Sequence, residues 1–582
     1  MSIFNGLFVD LWGIFLVVFF FGGSIFIHEL GHFLAAKRRG LAVPRFSIGF
    51  GPKLVSWTRN GTEYRISLLP LGGYVSIPQL AEMKSIEGDF PELAGQHLKE
   101  PSYSDKLIVS VMGAAFNALF ALVLALLLWW VGQPFSASEV TTQVGYVQET
   151  FEVDGVISPS PAFEAGLRPG DRIVSIDGQP VADFQDIIKD IVMGTGRAEG
   201  GRPVANIEIE RDGARQVLTL HPVLIDTNKL SRDAMRFIGI SPASDIVVSA
   251  TTPNSPATTA GLLPGDRIVG VNGSRLYSLL SLQDAVQKEH PLQLEIVRQG
   301  AILQKELMPM AVPFTRPYVQ WTLEGGGQVD IFPHYENKTP AIQQSQPNTF
   351  SELVVLNSDV PDLMDVDMRV LAVNDSTAKS IECLAQATVI GQNRLELSSQ
   401  GNLRRLNLDI AKQALVPSKT YWLLGIEMRR DVVLRHIDPW TQFRKSTEMT
   451  FGSLFSLVDT QSDLKLQSLM GPTGIVRTMH AFSKDLRMLI WFVILINVNL
   501  AILNLLPIPI LDGGHILFAT IEKVTRRRLS PGFIHSTQAV FLTLFLALMI
   551  YITFFDILRW KGDRTSEAEL QKSKLLNIER SF

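Results

Sequence analysis

Residues 22–37, GGSIFIHELGHFLAAK, constrain this chain more than any other stretch. His28, Glu29 and His32 form an H-E-x-x-H motif inside an apolar run from Ile3 to Ala36, in which Asp10 is the only earlier charge. On a helix, residues four apart share a face about one turn apart. Two imidazoles so spaced can grip one zinc ion, with Glu29 beside them to take a proton from water. A soluble helix does not carry such a run, whereas a membrane span does. Three ionisable groups within five positions there each cost on the order of 2.5–3.5 kcal/mol unless partnered, so a chance motif is disfavoured.

A chain of 582 residues has room for several domains. Its 46% hydrophobic content and mean hydropathy of +0.18 fit a few spans carrying a large polar part. A net charge of −4 gives no sign of a nucleic-acid partner. The single cysteine, Cys383, excludes an intrachain disulfide and a cysteine-rich zinc site, so metal ligands must be His, Asp or Glu. The first apolar run lacks a small-residue cleavage site and holds the ligand candidates, so it is expected to stay in the membrane.

Four apolar segments are long enough to span: residues 7–36, 107–131, 488–510 and 533–555. Basic clusters follow the first (Lys37, Arg38, Arg39) and the third (Arg526, Arg527, Arg528), which places those loops in the cytoplasm. Both termini and the long stretch 132–487 then lie outside. The tail after Lys561 reads as a solvated segment. Between the first two spans, alternation around Asn60-Gly61 predicts a β-hairpin of residues 53–58 and 63–68. Its apolar flanks allow it to re-enter the membrane beside the site, against protein or a wet cavity.

The outer part contains a repeat. Residues 164–178 read EAGLRPGDRIVSIDG and residues 259–273 read TAGLLPGDRIVGVNG, each followed by a helical stretch and a strand pair. Self-similarity of this length means duplicated domains. The segment resembles the PDZ family, whose domains accept a peptide as an added strand. The resemblance implies peptide-binding loops at Val144-Gly145-Tyr146-Val147 and Phe237-Ile238-Gly239-Ile240; domains that only filter by size are the alternative. A third, decayed copy covers VDMRVLAVND (366–375) and RLELSSQGNLRRLNL (394–408), with Met368 in place of the Asp.

Two histidines leave zinc short of a protein ligand. The third span offers Asp512 in Leu-Asp-Gly-Gly, after Pro507 and Pro509 break the helix. His515 is a rival, expected nearer the cytoplasmic edge. Asn497, Asn499 and Asn504 in the same run are expected to line a cavity or bond neighbouring backbone.

FIHELGH, NLLPIPILDGG and the two repeats between the spans together resemble the bacterial site-2 proteases, intramembrane zinc metalloproteases of the regulator-of-sigma-E type. The resemblance covers roughly residues 1–310 and 465–560. It implies a polytopic α-helical membrane protein of four spans with a cytoplasmic-side re-entrant β-hairpin and extracytoplasmic PDZ-like α+β domains. One Zn2+ would be held by His28, His32 and Asp512, with Glu29 as general base. Asn504 would hold substrate backbone, and the hairpin with Gly49, Gly51, Gly72 and Gly73 would pair with an unwound substrate. QSLMGPTGIV (467–476) matches a family segment that would act as a gate. The family's Gly-Pro in the second span is replaced here by Gly113-Ala114, before Ala115-Phe116-Asn117. The expected division is 1–131, spans and hairpin; 132–225 and 226–312, PDZ-like units; 313–430, extra region; 431–487, connection; 488–560, last spans; 561–582, tail. The implied partners are single-span substrates such as an anti-sigma factor or remnant signal peptide, peptide C-termini at the PDZ-like units, and the bilayer of a bacterial inner membrane. An inactive scaffold and a zinc-dependent transporter or sensor are the alternatives.

Overall fold

The computed structural model describes residues 2–80, 98–153, 156–226, 234–288, 290–313, 318–335, 350–358, 360, 363–364, 368–399, 402–416, 420–429 and 431–576. Among them, four helices are long and apolar enough to cross a bilayer: Leu11–Arg38, Tyr103–Val131, Leu486–Asn504 and Pro531–Asp563. They belong to α1 (Ser2–Arg38), α2 (Tyr103–Val131), α3 (Leu486–Asn504) and α5 (Pro531–Leu576), with α4 (Asp512–Thr525) between the last two. The tail read as a solvated segment continues α5 unbroken to Leu576.

One face of each inner helix supplies the bundle core, including Leu16, Val17, Ala121, Leu124, Leu128, Leu489 and Val493. Large apolar side chains such as Trp12, Phe19, Val123, Leu544 and Ile550 point outward, as they do where the solvent is hydrocarbon. α2 starts on a capping box between Ser102 and Asp105. Asp105 also binds Arg39 at 2.6 Å and Lys99 at 3.2 Å. Lys106–Glu522 and Arg528–Glu100, both at 2.8 Å, draw α4 and the start of α5 to the same end. Both basic clusters thus sit at one end of the bundle. At the other, strand Gln133–Ser136 pairs with Val432–Arg435 and leads into the β-rich part, expected from the sequence to lie outside.

The hairpin is larger than its alternation shows. β1 (Arg45–Arg59) and β2 (Thr62–Ser76) turn at Asn60 and Gly61, both with positive φ as a tight hairpin turn requires. Both strands bend. Residues 45–48 pair with 63–66 on one side and 73–76 on the other, so two strands make four ribbons with 73–76 outermost. A cluster of Ala35, Ala36, Phe46, Val75 and Val109 fixes this sheet to α1 and α2.

The two repeats fold alike. Each places its PGDRIV strand (Arg172–Ile176, Arg267–Val271) beside a two-residue strand and pairs it with the next long strand (Ala205–Arg211, Leu292–Arg298). The repeated Asp explains the motif. Asp171 and Asp266 each accept a backbone N–H three residues back, from Arg168 and Leu263, and a bidentate arginine, Arg211 or Arg298. The same arginine donates to the carbonyl of Gly166 or Gly261. The Arg298 guanidinium, with burial opposing it, holds the Asp266 carboxyl below its ordinary value. Its stabilising effect is therefore complete above the unfolded value of about 3.9 and is lost as pH falls through the lower folded value. Melting of the outer part is expected to be flat from neutrality to about pH 4 and to fall below it; Asp266→Asn should shrink that acid-sensitive step in a fluorescence melt.

Strand pairing sets unit boundaries other than those read from the repeats. Ile240–Pro242 pairs with Val144–Val147, so the two loops predicted to bind peptides lie together in the first unit. Ala162 and Gln148 donate to the carbonyls of Ile238 and Gly239. The second unit repeats these bonds far downstream, with Ala257 and Thr252 donating to Leu424 and Gly425. Its closing strand is Ile426–Met428, paired with Ile246–Thr251. The intervening chain is an insertion between the paired strands Met310–Pro313 and Thr420–Leu423. In the first unit the equivalent pair is Val223–Asp226 with Ala234–Phe237.

The inserted unit has the element order of the two repeats: strand Arg369–Val373, two-residue strand Ser376–Thr377, helix Ile381–Ala387, then strands Gly391–Ser399 and Asn402–Val416. Met368 packs in its apolar core, where the first two units have their buried Asp. Its sheet closes on itself, because Tyr318–Leu323 bridges Gln328–Tyr335 and Asn402–Val416 while Phe350–Ser358 pairs with Arg369–Val373. Residues 311–350, whose Gly325–Gly327 and several Gln and Pro read as linker or loop, instead supply the strands Tyr318–Leu323 and Gln328–Tyr335 of this sheet, and 336–349 lie outside the described residues. In the second unit the strand Ile426–Met428 instead faces a cavity of 1210 Å³, lined across from it by Leu279, Leu282 and Val286.

Candidate metal centre

His28 and His32 lie on one face of α1 with Nε2 atoms 3.1 Å apart. Asp512 Oδ2 is 3.3 Å from the first and 3.4 Å from the second. All three side chains are largely buried. Among the described residues this is the group of donors that could hold a metal, and His515 is not in it. Asp512 arrives there because α3 stops at Asn504 and the chain turns through residues 505–511, with Pro507 and Pro509, before α4 begins. Gly513 and Gly514 let that turn fold onto the start of α4; a Cβ on either would overlap the backbone of residues 505–509.

The donors fit a tetrahedral ion. Bonds of about 2.05 Å at tetrahedral angles put ligand atoms roughly 3.3 Å apart, close to the three edges of this triangle. Asp512 Oδ2 is buried and has no hydrogen-bond partner. His32 Nδ1 is 2.8 Å from the carbonyl of Val109, which can only accept; a neutral His32 therefore carries its proton on Nδ1 and presents a bare Nε2. Lone pairs converging on one point repel unless a cation lies between them.

The other predicted residues are placed around this triangle. Asn504 Nδ2 is 3.5 Å from His28 Nε2. Asn497 instead bonds Ser24 and the carbonyl of Val493, and Asn499 accepts from Thr450, so these two serve packing between elements. Glu29 points from α1 toward the outermost ribbon of the sheet, its Cγ 3.4 Å from where a Cβ on Gly73 would lie. Gly72 lies under the ring of Phe50, and Gly49 and Gly51 have positive φ. Gly145 and Tyr146 lie in the strand that pairs with Ile240–Pro242, next to Ile238 and Gly239, far along the chain from the metal triangle.

One stripe of α2 was not foreseen. Val109 bonds His32, Gly113 gives both rings room, and Asn117 lies 3.2 Å from His28 Nδ1. In the sequence Gly113 and Asn117 stand out only as a departure from a family kink. α2 runs straight through them as one helix. An Asn inside an apolar span was the available signal.

Four bilayer-length apolar helices and a buried His-His-Asp triangle fit a metalloenzyme embedded in a membrane. Compared with known families, residues 16–550 match peptidase family M50. The chain belongs to that family, and the resemblance to site-2 proteases is borne out. Its relatives include the regulator of sigma-E protease RseP of Escherichia coli, 28% identical over 94% of this chain and 98% of that protein. Protease RseP of Yersinia pestis is 26% identical over the same shares. A protein of Chlamydia pneumoniae whose name assigns it to the zinc metalloproteases is 28% identical over 93% of this chain and 98% of its own length.

Proposed function

We propose that this protein is a zinc-dependent intramembrane endopeptidase that cuts within or near the membrane segment of single-span proteins, an anti-sigma factor or remnant signal peptide among them. The observation that carries this reading is the triangle of His28 and His32 on the apolar helix α1 and Asp512 at the break that follows α3. Those three residues would hold one zinc ion. When bound, zinc supplies Lewis acidity that polarises a carbonyl and acidifies water. Glu29 accepts the proton of the attacking water and returns it to the leaving amine. Asn504, beside the triangle, donates to substrate backbone.

A helical peptide bond is shielded by its own hydrogen bonds, so the substrate must unwind first. The outermost ribbon 73–76, which begins at Gly73 after Gly72 and pairs by one edge with residues 45–48 just before Gly49 and Gly51, offers it a strand to pair with. The first two outer units are read as PDZ-like. The second has an open groove between Ile426–Met428 and the helix Leu279–Lys288, suited to an extended chain end; in the inserted unit the chain's own strand Tyr318–Leu323 occupies the corresponding edge. We assign the protein to a bacterial inner membrane, with both termini and the outer units on the extracytoplasmic side, on the evidence of the basic clusters at the opposite end of the bundle.

The test is cleavage of a labelled single-span substrate by the full chain in lipid vesicles. Cleavage should stop with a zinc chelator and return with one equivalent of Zn2+ per chain. Cleavage indifferent to chelation would overturn the reading.

A further inference from the structure

We infer that Asn117 is a positioning residue of the metal centre: its side-chain oxygen accepts the Nδ1 proton of His28 and so holds that ring with Nε2 toward the metal. This rests on the metal reading above and concerns a residue that reading does not use.

Asn117 is fully buried in α2, one turn beyond Gly113 and two beyond Val109. These three positions make a single stripe facing α1. At its near end the Val109 carbonyl fixes the tautomer of His32. At its far end, the Asn117 amide is 3.2 Å from His28 Nδ1. Nε2 of His28 is turned to the triangle, 3.3 Å from Asp512. For Nε2 to offer a lone pair, the neutral ring must carry its proton on Nδ1, and Nδ1–H needs an acceptor.

The amide can supply one. Oxygen and nitrogen of an amide are assigned by the bonds they make. With Nδ2 toward the ring, N–H would face N–H, and the buried oxygen on the far side has no partner. With Oδ1 toward the ring, the His28 proton has an acceptor, and the exchange breaks no hydrogen bond on the far side. The choice of Asn also follows from depth. A carbonyl of α2, that of Val109, serves His32, whereas the polar group that α2 brings within reach of His28 Nδ1 is the Asn117 amide. A side chain with an acceptor must reach out instead, and a neutral one avoids an unpaired charge within the membrane.

Second-layer partners of metal-bound histidines change metal affinity by about 10–100-fold. The experiment titrates the full chain in detergent micelles with Co2+ against a chromophoric chelator, reading affinity and the visible spectrum of the bound ion. Asn117→Leu keeps the size and removes the acceptor, while Asn117→Asp keeps an acceptor. The expected result is binding weakened about 10–100-fold in Asn117→Leu and within about threefold of the parent in Asn117→Asp, with equal melting of the three metal-free proteins. Unchanged affinity in Asn117→Leu, or equal loss in both variants, overturns the inference and leaves the metal reading intact. A parent that binds no Co2+ overturns both.

Discussion

Glu29→Gln is expected to abolish cleavage while leaving the metal centre assembled. The carboxylate follows His28 by one residue, so it leaves α1 about 100° round from the ligand face. It points to the outer ribbon of the sheet near Gly73 and is not among the clustered donors. Glutamine has the same shape and cannot accept a proton at neutral pH. A general base contributes about 10²–10⁴-fold, so the rate of bond hydrolysis should fall by roughly 10³-fold. Zinc content, measured by atomic absorption on the same preparation, should stay at the parental value. Parental cleavage by the variant would remove Glu29 from the chemistry, and a zinc-free variant would make it a structural residue of the centre.

Much of the site could be read before the fold because its residue types are expensive where they sit. His28, Glu29 and His32 in an apolar run call for a partner, and Asp512 after two prolines in another span is the complementary anomaly. Asn504 was legible for the same reason. Asn117 carries the same signal, masked by a segment whose most visible feature is its missing proline. What escaped altogether were effects of absence: Gly113 works by having no side chain, and Val109 works through its carbonyl, which every residue has.

The outer part was legible in its repeats and illegible in its closures. PGDRIV recurs because each copy needs the same buried Asp and the same glycine turn. The closing strands share only an apolar-Gly-Ile pattern, Ile238-Gly239-Ile240 and Leu424-Gly425-Ile426, too short to find by eye. The second is carried far downstream by a unit inserted at a hairpin tip. Such a tip is where added chain disturbs least packing, so the second unit keeps its pairing while its sequence is split. The second half of the β1–β2 sheet was hidden for a related reason: Gly49, Gly51, Gly72 and Gly73 interrupt the alternation that marks a strand.

Gly113→Ala is expected to dismantle the metal centre with a single methyl group. In the interior of a helix this change ordinarily helps, by up to about 1 kcal/mol. Here a Cβ would lie 2.6 Å from His32 Cε1 and 2.7 Å from His28 Cε1, and closer still to His32 Nε2. Such overlap forces something to move. The helices cannot separate easily, because α1 meets α2 at Gly31, where even one added carbon would strike the Met112 carbonyl. The rings must therefore turn, His32 against its bond to Val109 and His28 against its contact with Asn117. Overpacking of this size costs about 1–3 kcal/mol, which the gain in helix propensity partly offsets, so the metal-free fold should survive with a small loss of melting temperature. The Nε2 atoms would no longer converge on Asp512. Metal affinity should fall by at least about 10²-fold, and cleavage with it, recoverable only in part by excess Zn2+. Affinity within threefold of the parent would mean that the rings have room the close packing of α1 and α2 denies them, and the account of this stripe as the mould of the centre would fail.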